Sequence, residues 1–159
     1  MVFDQVNGLP VHALVLHAAV IFVPLLALGA TVYALVRPWR PKLGWAVALL
    51  AVVAPASAFV AKLSGTELYN RLIGEERVSP AGREIIDQHM DFGTLTTWVS
   101  IALGVVSLIL VALTVRNPRA LPKLADVAFA VVVVVLAAVN GYYVFKTGDS
   151  GATAVWGTY

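Results

Sequence analysis

The chain has no cysteine. That removes disulfides, thiolate metal sites, iron–sulfur clusters and covalently attached c-type haem. Charge is scarce too: 13% of the 159 residues are Asp, Glu, Lys or Arg, against 60% that are hydrophobic. Soluble domains run at about 25% charged and about 45–50% apolar, so composition alone points to a membrane protein. Six of the 11 Lys and Arg fall in two small clusters and the rest are scattered, which offers nucleic acid no binding surface. Histidine occurs three times and methionine twice, which limits where a metal or haem could be held.

What is present in abundance is apolar length. Val11–Val36, Leu43–Ala61, Phe92–Val115 and Val127–Phe145 are free of charged residues. About 20 helical residues cross a hydrocarbon core of ~30 Å, so each run is long enough. In lipid the backbone must satisfy its own hydrogen bonds, and helices do so within one segment. The Val-rich fourth run would suggest a strand in water, but its length overrides that preference. The expected fold is all-α, a single four-helix transmembrane bundle over residues 1–159. A loop at 62–91 and a tail at 146–159 complete it. The first nine residues carry an acid and no base, so the first run reads as a retained helix rather than a signal peptide.

Orientation is read from the short connections. "RPWRPK" (Arg37 to Lys42) and "RNPRALPK" (Arg116 to Lys123) together hold six bases and no acid. The positive-inside rule sends both to the cytoplasm, leaving loop 62–91 and both termini outside. Asp126 stands at a helix start, where its charge complements the dipole. In the outer loop Leu68, Tyr69, Leu72 and Ile73 have amphipathic spacing. Ser79 is placed to cap a third helix that opens at Pro80 and carries His89 inward. In the tail, Gly148-Asp149-Ser150-Gly151 reads as a turn. Ala154, Val155 and Trp156 would then fold back over the histidine region. A serine-protease reading of GDSG fails because no surrounding double barrel exists to supply a triad.

All three histidines fall on the outer side. His12 and His17 are five residues apart, about 140° round a helix and about 8 Å along it, so they do not share a face. The deeper His17 has more need of a buried partner, and His89 on the third helix is the expected companion. His12 is then left at the interface. Gly93, one turn after His89, would let a flat or bulky group approach. Three uses compete. His17 and His89 could be axial ligands of a haem b, with Lys62, Arg71, Arg83 and Lys146 as candidate propionate partners. His12, His17 and His89 with Asp91 (or Asp87 or Asp4) could bind Zn²⁺ or Cu²⁺. Or the rings could simply hydrogen-bond helices and headgroups. With no histidine or methionine on the inner side, the chain alone is not a two-haem conduit across the membrane. The spans contain no acid to couple ions, which counts against transport. The two halves also echo one another, each with histidine at the outer end of an odd-numbered helix and a basic Pro-containing turn at the other. That is the pattern of a two-by-two duplication.

The segments "GLPVHALVLHAAVIFVPLLALGA", "DQHMDFG" and "TGDSGATAVW" resemble a bacterial family of predicted membrane proteins catalogued as domain of unknown function 2231. The resemblance runs from about Phe3 to Trp156 and rests on the patterns H-x4-H, H-x3-G and a Gly-Asp/His-Ser-Gly segment. They map onto His12, His17, His89, Gly93, Gly148, Ser150 and Gly151. It implies a four-helix protein of the bacterial inner membrane. Some relatives are joined to Rieske-type iron–sulfur domains, which implies electron transfer at the outer face with a quinone or a separate extracytoplasmic redox protein. The expected role is therefore an electron carrier rather than a catalyst. A non-redox scaffold or accessory subunit is the alternative, and a homo-oligomer or a place in a larger complex stays open.

Overall fold

A computed structural model describes residues 5, 6, 9–114, 116, 117 and 121–157. Four long helices dominate it: α1 (Val11–Leu35), α2 (Arg40–Gly74), α3 (Pro80–Thr114) and α4 (Lys123–Trp156). All four are long and apolar enough to cross a membrane. A two-residue antiparallel ladder, β1 (Gln5–Val6) with β2 (Leu9–Pro10), precedes α1. The helices run up and down in chain order. α1 packs on α2 and α4, α3 packs on the same two, and α1 and α3 face each other across the diagonal.

The distribution of polarity is that of a bundle in lipid. Leu28, Trp45 and Leu124 are 65%, 72% and 84% exposed on the periphery. Thr96, Thr97, Ser100, Ser107 and Asn140 are buried at the centre. Small and hydroxyl-bearing residues let transmembrane helices approach closely, and their side chains find partners across the interface. Ser100 donates to Asn140 Oδ1 (3.1 Å), and Thr96 and Thr147 share a hydroxyl bond of 2.9 Å between α3 and α4. A similar close approach joins α2 and α3. Pro55 lacks an N–H, so the Ala51 carbonyl one turn earlier has no helical donor. Gly104 of α3 packs directly on that carbonyl: a Cβ there would stand 2.6 Å from its oxygen.

The lower end, where the two short connections lie, is closed by charge. Asp126 is buried in the first turn of α4. It meets Arg37 from the α1–α2 turn and Arg40 from the start of α2, the latter at 2.7 Å. Arg40, itself buried, also donates to the Tyr33 and Ala34 carbonyls at the end of α1 (3.0 and 2.9 Å), which lack helical partners. Tyr33 in turn bonds Thr114 of α3 (2.9 Å). One carboxylate and one tyrosine thus tie all four helices together. Sequence reading had given Asp126 only a dipole role.

At the upper end the helices outrun the membrane. At ~1.5 Å per residue, helices of 34 or 35 residues span about 50 Å against a ~30 Å core. α1, with 25 residues, is shorter. Ser79 caps α3 as expected, its Oγ accepting the Gly82 N–H (3.1 Å). Two expectations need correction. Most of 62–91 is helix and not loop, since α2 continues to Gly74 and α3 starts at Pro80. And Gly148-Asp149-Ser150-Gly151 is no turn: α4 runs unbroken to Trp156, so no tail folds back over the bundle. Ser150 bonds the Lys146 carbonyl one turn behind (2.8 Å), satisfying its hydroxyl inside the helix instead of opening it.

Replacing Asp126 by Asn leaves Arg40 buried without its counter-charge, a change that costs about 3 kcal/mol in comparable buried pairs. Thermal unfolding of the detergent-solubilised protein should therefore show Asp126→Asn well below wild type. Arg37→Gln, on the more exposed partner, should cost much less.

Candidate functional site

The site is built from two hairpins that make the same contacts. In the first, His12 near the start of α1 turns towards α2. Its Nδ1 bonds the Ala61 carbonyl at 2.9 Å and lies 3.4 Å from Ser64 Oγ. In the second, His89 of α3 turns towards α4. Its Nδ1 bonds the Thr147 carbonyl at 3.0 Å and lies 3.2 Å from Ser150 Oγ. Carbonyl, serine and glycine follow at the same offsets in both: Ala61, Ser64, Gly65 and Thr147, Ser150, Gly151. The glycines have a reason. A Cβ on Gly65 would lie 3.1 Å from the His12 ring, and one on Gly151 would lie 2.9 Å from the His89 ring. Each imidazole lies over a helix turn that has no side chain.

A carbonyl oxygen can only accept, so both Nδ1 atoms carry the proton and both rings present Nε2 as a lone-pair donor. Among the described residues neither Nε2 has a hydrogen-bond partner. The two rings meet across the bundle diagonal, centroids 6.3 Å apart and planes at 84°. They line a cavity of about 550 Å³. Its walls are mostly apolar (Leu16, Ala58, Leu68, Leu72, Ile86 and Met90 among them), with Thr96 and Thr97 at the deep end. Ligand cavities of roughly 300–1,000 Å³ with an apolar lining and a few convergent polar atoms are the usual form of a cofactor site.

The sequence-derived residues separate cleanly in this frame. His89, Gly93 and Lys62 line the cavity, and so does His12. His17 does not: it is exposed on α1, its Nδ1 bonded to the Ala13 carbonyl of its own helix at 2.9 Å. The companion of His89 is therefore His12, not His17. Sequence reading paired the deeper histidine with His89 because depth demands a partner. The rotation of α1 decides otherwise and turns His12 inward. Arg83 lies outside the cavity, exposed and 3.9 Å from Asp87. Asp91 is exposed, and Asp4 lies outside the described residues. Among those described, no three His, Cys, Asp or Glu side chains converge as a metal cluster would require.

Comparison with known families fits this architecture. The sequence profile of a predicted membrane protein family, catalogued as domain of unknown function 2231, matches residues 8–158. The chain belongs to that family. No curated protein and no solved structure matches it. The family's description places its members in the membrane and states no activity, so the chemistry has to be read from the histidine site itself.

Sequence reasoning missed Ser64 and Gly65. The signal was a Ser-Gly pair one hairpin later than each inward histidine, Ser64-Gly65 after His12 and Ser150-Gly151 after His89. It went unseen because a Ser-Gly pair suggests a turn, not a helix. Substitution separates the packing glycines from the rest. Alanine in an exposed helical glycine position gains up to about 1 kcal/mol, as Gly141→Ala should, since nothing lies within 4 Å of its Cβ position. Gly151→Ala must push the His89 ring aside, an overpacking cost of about 1–3 kcal/mol. Thermal melts of the ligand-free protein should show Gly141→Ala at or above wild type, Gly65→Ala near it and Gly151→Ala below it.

Proposed function

We propose that the protein is a membrane-embedded b-type cytochrome whose single haem is held by His12 and His89 as axial ligands. The observation that carries this reading is the pair of imidazoles on diagonal helices, each with Nδ1–H tied to a backbone carbonyl. Metal-binding histidines characteristically donate their second ring N–H in this way, which fixes the tautomer and raises ligand basicity. Two imidazoles bound trans to one metal by bonds of about 2.0–2.1 Å have ring centres about 6 Å apart. The observed separation of 6.3 Å matches that spacing. The donor set argues against the alternative Zn or Cu site, since structural zinc takes four ligands and catalytic zinc three from protein. Here two converge.

The residues also suit the group's shape. Gly65, Gly93, Gly148 and Gly151 line the slot and leave room for a flat ring system. Lys62 is the cavity's basic residue, placed to pair with a propionate. When bound, haem supplies reversible one-electron chemistry. His12 and His89 would hold the iron, the apolar walls would exclude water, and Ser64 and Ser150 would keep the rings in place. Such a centre transfers electrons rather than transforming a substrate. By the positive-inside rule the histidine end faces away from the cytoplasm in a bacterial inner membrane, both termini outside. Electrons would then be exchanged with a quinone or an extracytoplasmic redox protein.

The purified protein should show a Soret band and release protoheme into alkaline pyridine. His12→Ala and His89→Ala should lose the band while remaining in the membrane, and His17→Ala should keep it. Near-perpendicular ring planes give the highly anisotropic low-spin EPR signal rather than the rhombic one of parallel planes. A wild-type protein without haem would sink the reading.

A further inference from the structure

His17 is the one histidine that the haem site leaves unused. We infer that it is the hydrogen-bonding residue of a lipid-side site for a hydroquinone, set at the mouth of the histidine cavity; this rests on the haem reading above. The cavity is not closed all round. Its α1 wall is Ala13, Leu16, Ala19 and Val20, and its α4 wall includes Gly148, Ala152 and Val155. Ala13, Val20, Gly148, Ala152 and Val155 are all exposed as well as lining. A residue that does both lies on a rim, so the cavity opens sideways between α1 and α4. That seam is also the most loosely packed of the four between neighbouring helices.

His17 does not itself line the cavity; it stands beside this rim, exposed on α1. At about 100° per residue it lies roughly 40° round α1 from Ala13 and 60° from Val20, on the side away from α2. Its Nδ1 proton is committed to the Ala13 carbonyl at 2.9 Å. Nε2 is therefore an acceptor pointing out from an apolar helix face whose neighbours Leu14, Val20 and Ile21 are 49%, 52% and 55% exposed. Counting about 20 residues up from Leu35 at the lower end puts the hydrocarbon boundary near Val15, so His17 sits just inside it. An acceptor facing lipid there has few water partners and is favoured by a ligand that supplies a proton donor.

The ligand that fits is amphiphilic, flat enough to enter between helices, soluble in the bilayer, and a hydrogen-bond donor. A hydroquinone has all four properties, with a phenolic O–H for His17 Nε2. Small residues at Ala13 and Gly148 let its ring approach the cavity that holds His12 and His89. Oxidation of one hydroquinone to the quinone breaks two O–H bonds. It would give up two protons to solvent and two electrons, one to each of two protein molecules carrying the one-electron group that His12 and His89 would hold. A water-soluble protein partner would have no use for an opening at this depth.

The experiment uses the holoprotein in nanodiscs, mixed anaerobically with a short-chain alkylated benzohydroquinone while haem reduction is followed optically. His17→Phe should keep the wild-type Soret band and full reduction by dithionite, yet be reduced by the hydroquinone about tenfold more slowly below saturation, as the loss of one hydrogen bond implies. His17→Gln, which restores an acceptor, should recover much of the rate. Equal rates in wild type and His17→Phe would overturn this inference while leaving the haem reading intact, and so would His17→Gln as slow as His17→Phe. Absence of haem from the wild-type protein would remove both.

Discussion

Everything at the functional end depends on two hydrogen bonds, His12 Nδ1–H to the Ala61 carbonyl and His89 Nδ1–H to the Thr147 carbonyl. Each is a bond between neighbouring helices, so it fixes the rotation of the odd-numbered helix against the even-numbered one. Each also uses a carbonyl inside a helix, which its own helix needs for the N–H four residues on. An oxygen with two lone pairs can serve both, but the ring must then lie close over that next turn. This is why a glycine stands four residues after each accepting carbonyl, and why a serine at the third position lies within reach of the same Nδ1. The offset is a steric consequence of the bond and not an independent motif. Given one histidine and its carbonyl, the other two residues follow.

The same contacts on both hairpins mean that the bundle is close to two copies of one unit, related by an axis along the bundle. The sequences of the halves hardly match, because most positions face lipid, where any apolar side chain serves equally well. What survives is what geometry holds: the inward histidine, the helix turn it rests on, and a basic Pro-containing connection. An arrangement of this symmetry has a physical consequence. Two equivalent imidazoles reach inward from diagonal helices and meet across the bundle, their ring centroids 6.3 Å apart. A tetrahedral ion would need further ligands from α2 or α4. At this level those helices offer Ser64, Gly65, Ser150 and Gly151, none of them a good ligand for zinc.

Charge is divided between the ends in a way that matches their roles. The lower end carries Arg37, Arg40 and Asp126 in a dense network that includes the last carbonyls of α1. It is built to be rigid. At the histidine end the pairs Arg77 with Glu75 and Arg83 with Asp87 are exposed, local and weak. α1 starts lower than α2 or α4 ends, so the bundle there opens into a cavity. The bundle is thus clamped by charge at its lower end and hollowed by the histidine cavity at the other.

How much of this could be read from the chain depended on the kind of signal. The spans were legible because solvation in lipid is a bulk property of about 20 consecutive residues, and no tertiary contact overrides it. The start of α3 was legible because Ser79 and Pro80 act locally. The choice between His12 and His17 was not. Both are apolar-flanked, and only the packing of α1 into the bundle core, where Val23, Leu26 and Ala30 are buried, decides which faces inward. Those three stand about 20°, 320° and 0° round the helix from His12. Extrapolating the buried stripe of α1 upward from the well-packed lower half therefore selects His12 and leaves His17 about 140° away. The apolar residues of this stripe differ little from their lipid-facing neighbours, so the stripe becomes visible only once its partner helix is in place. Depth did not indicate which histidine lines the cavity beside His89; phase along the helix does.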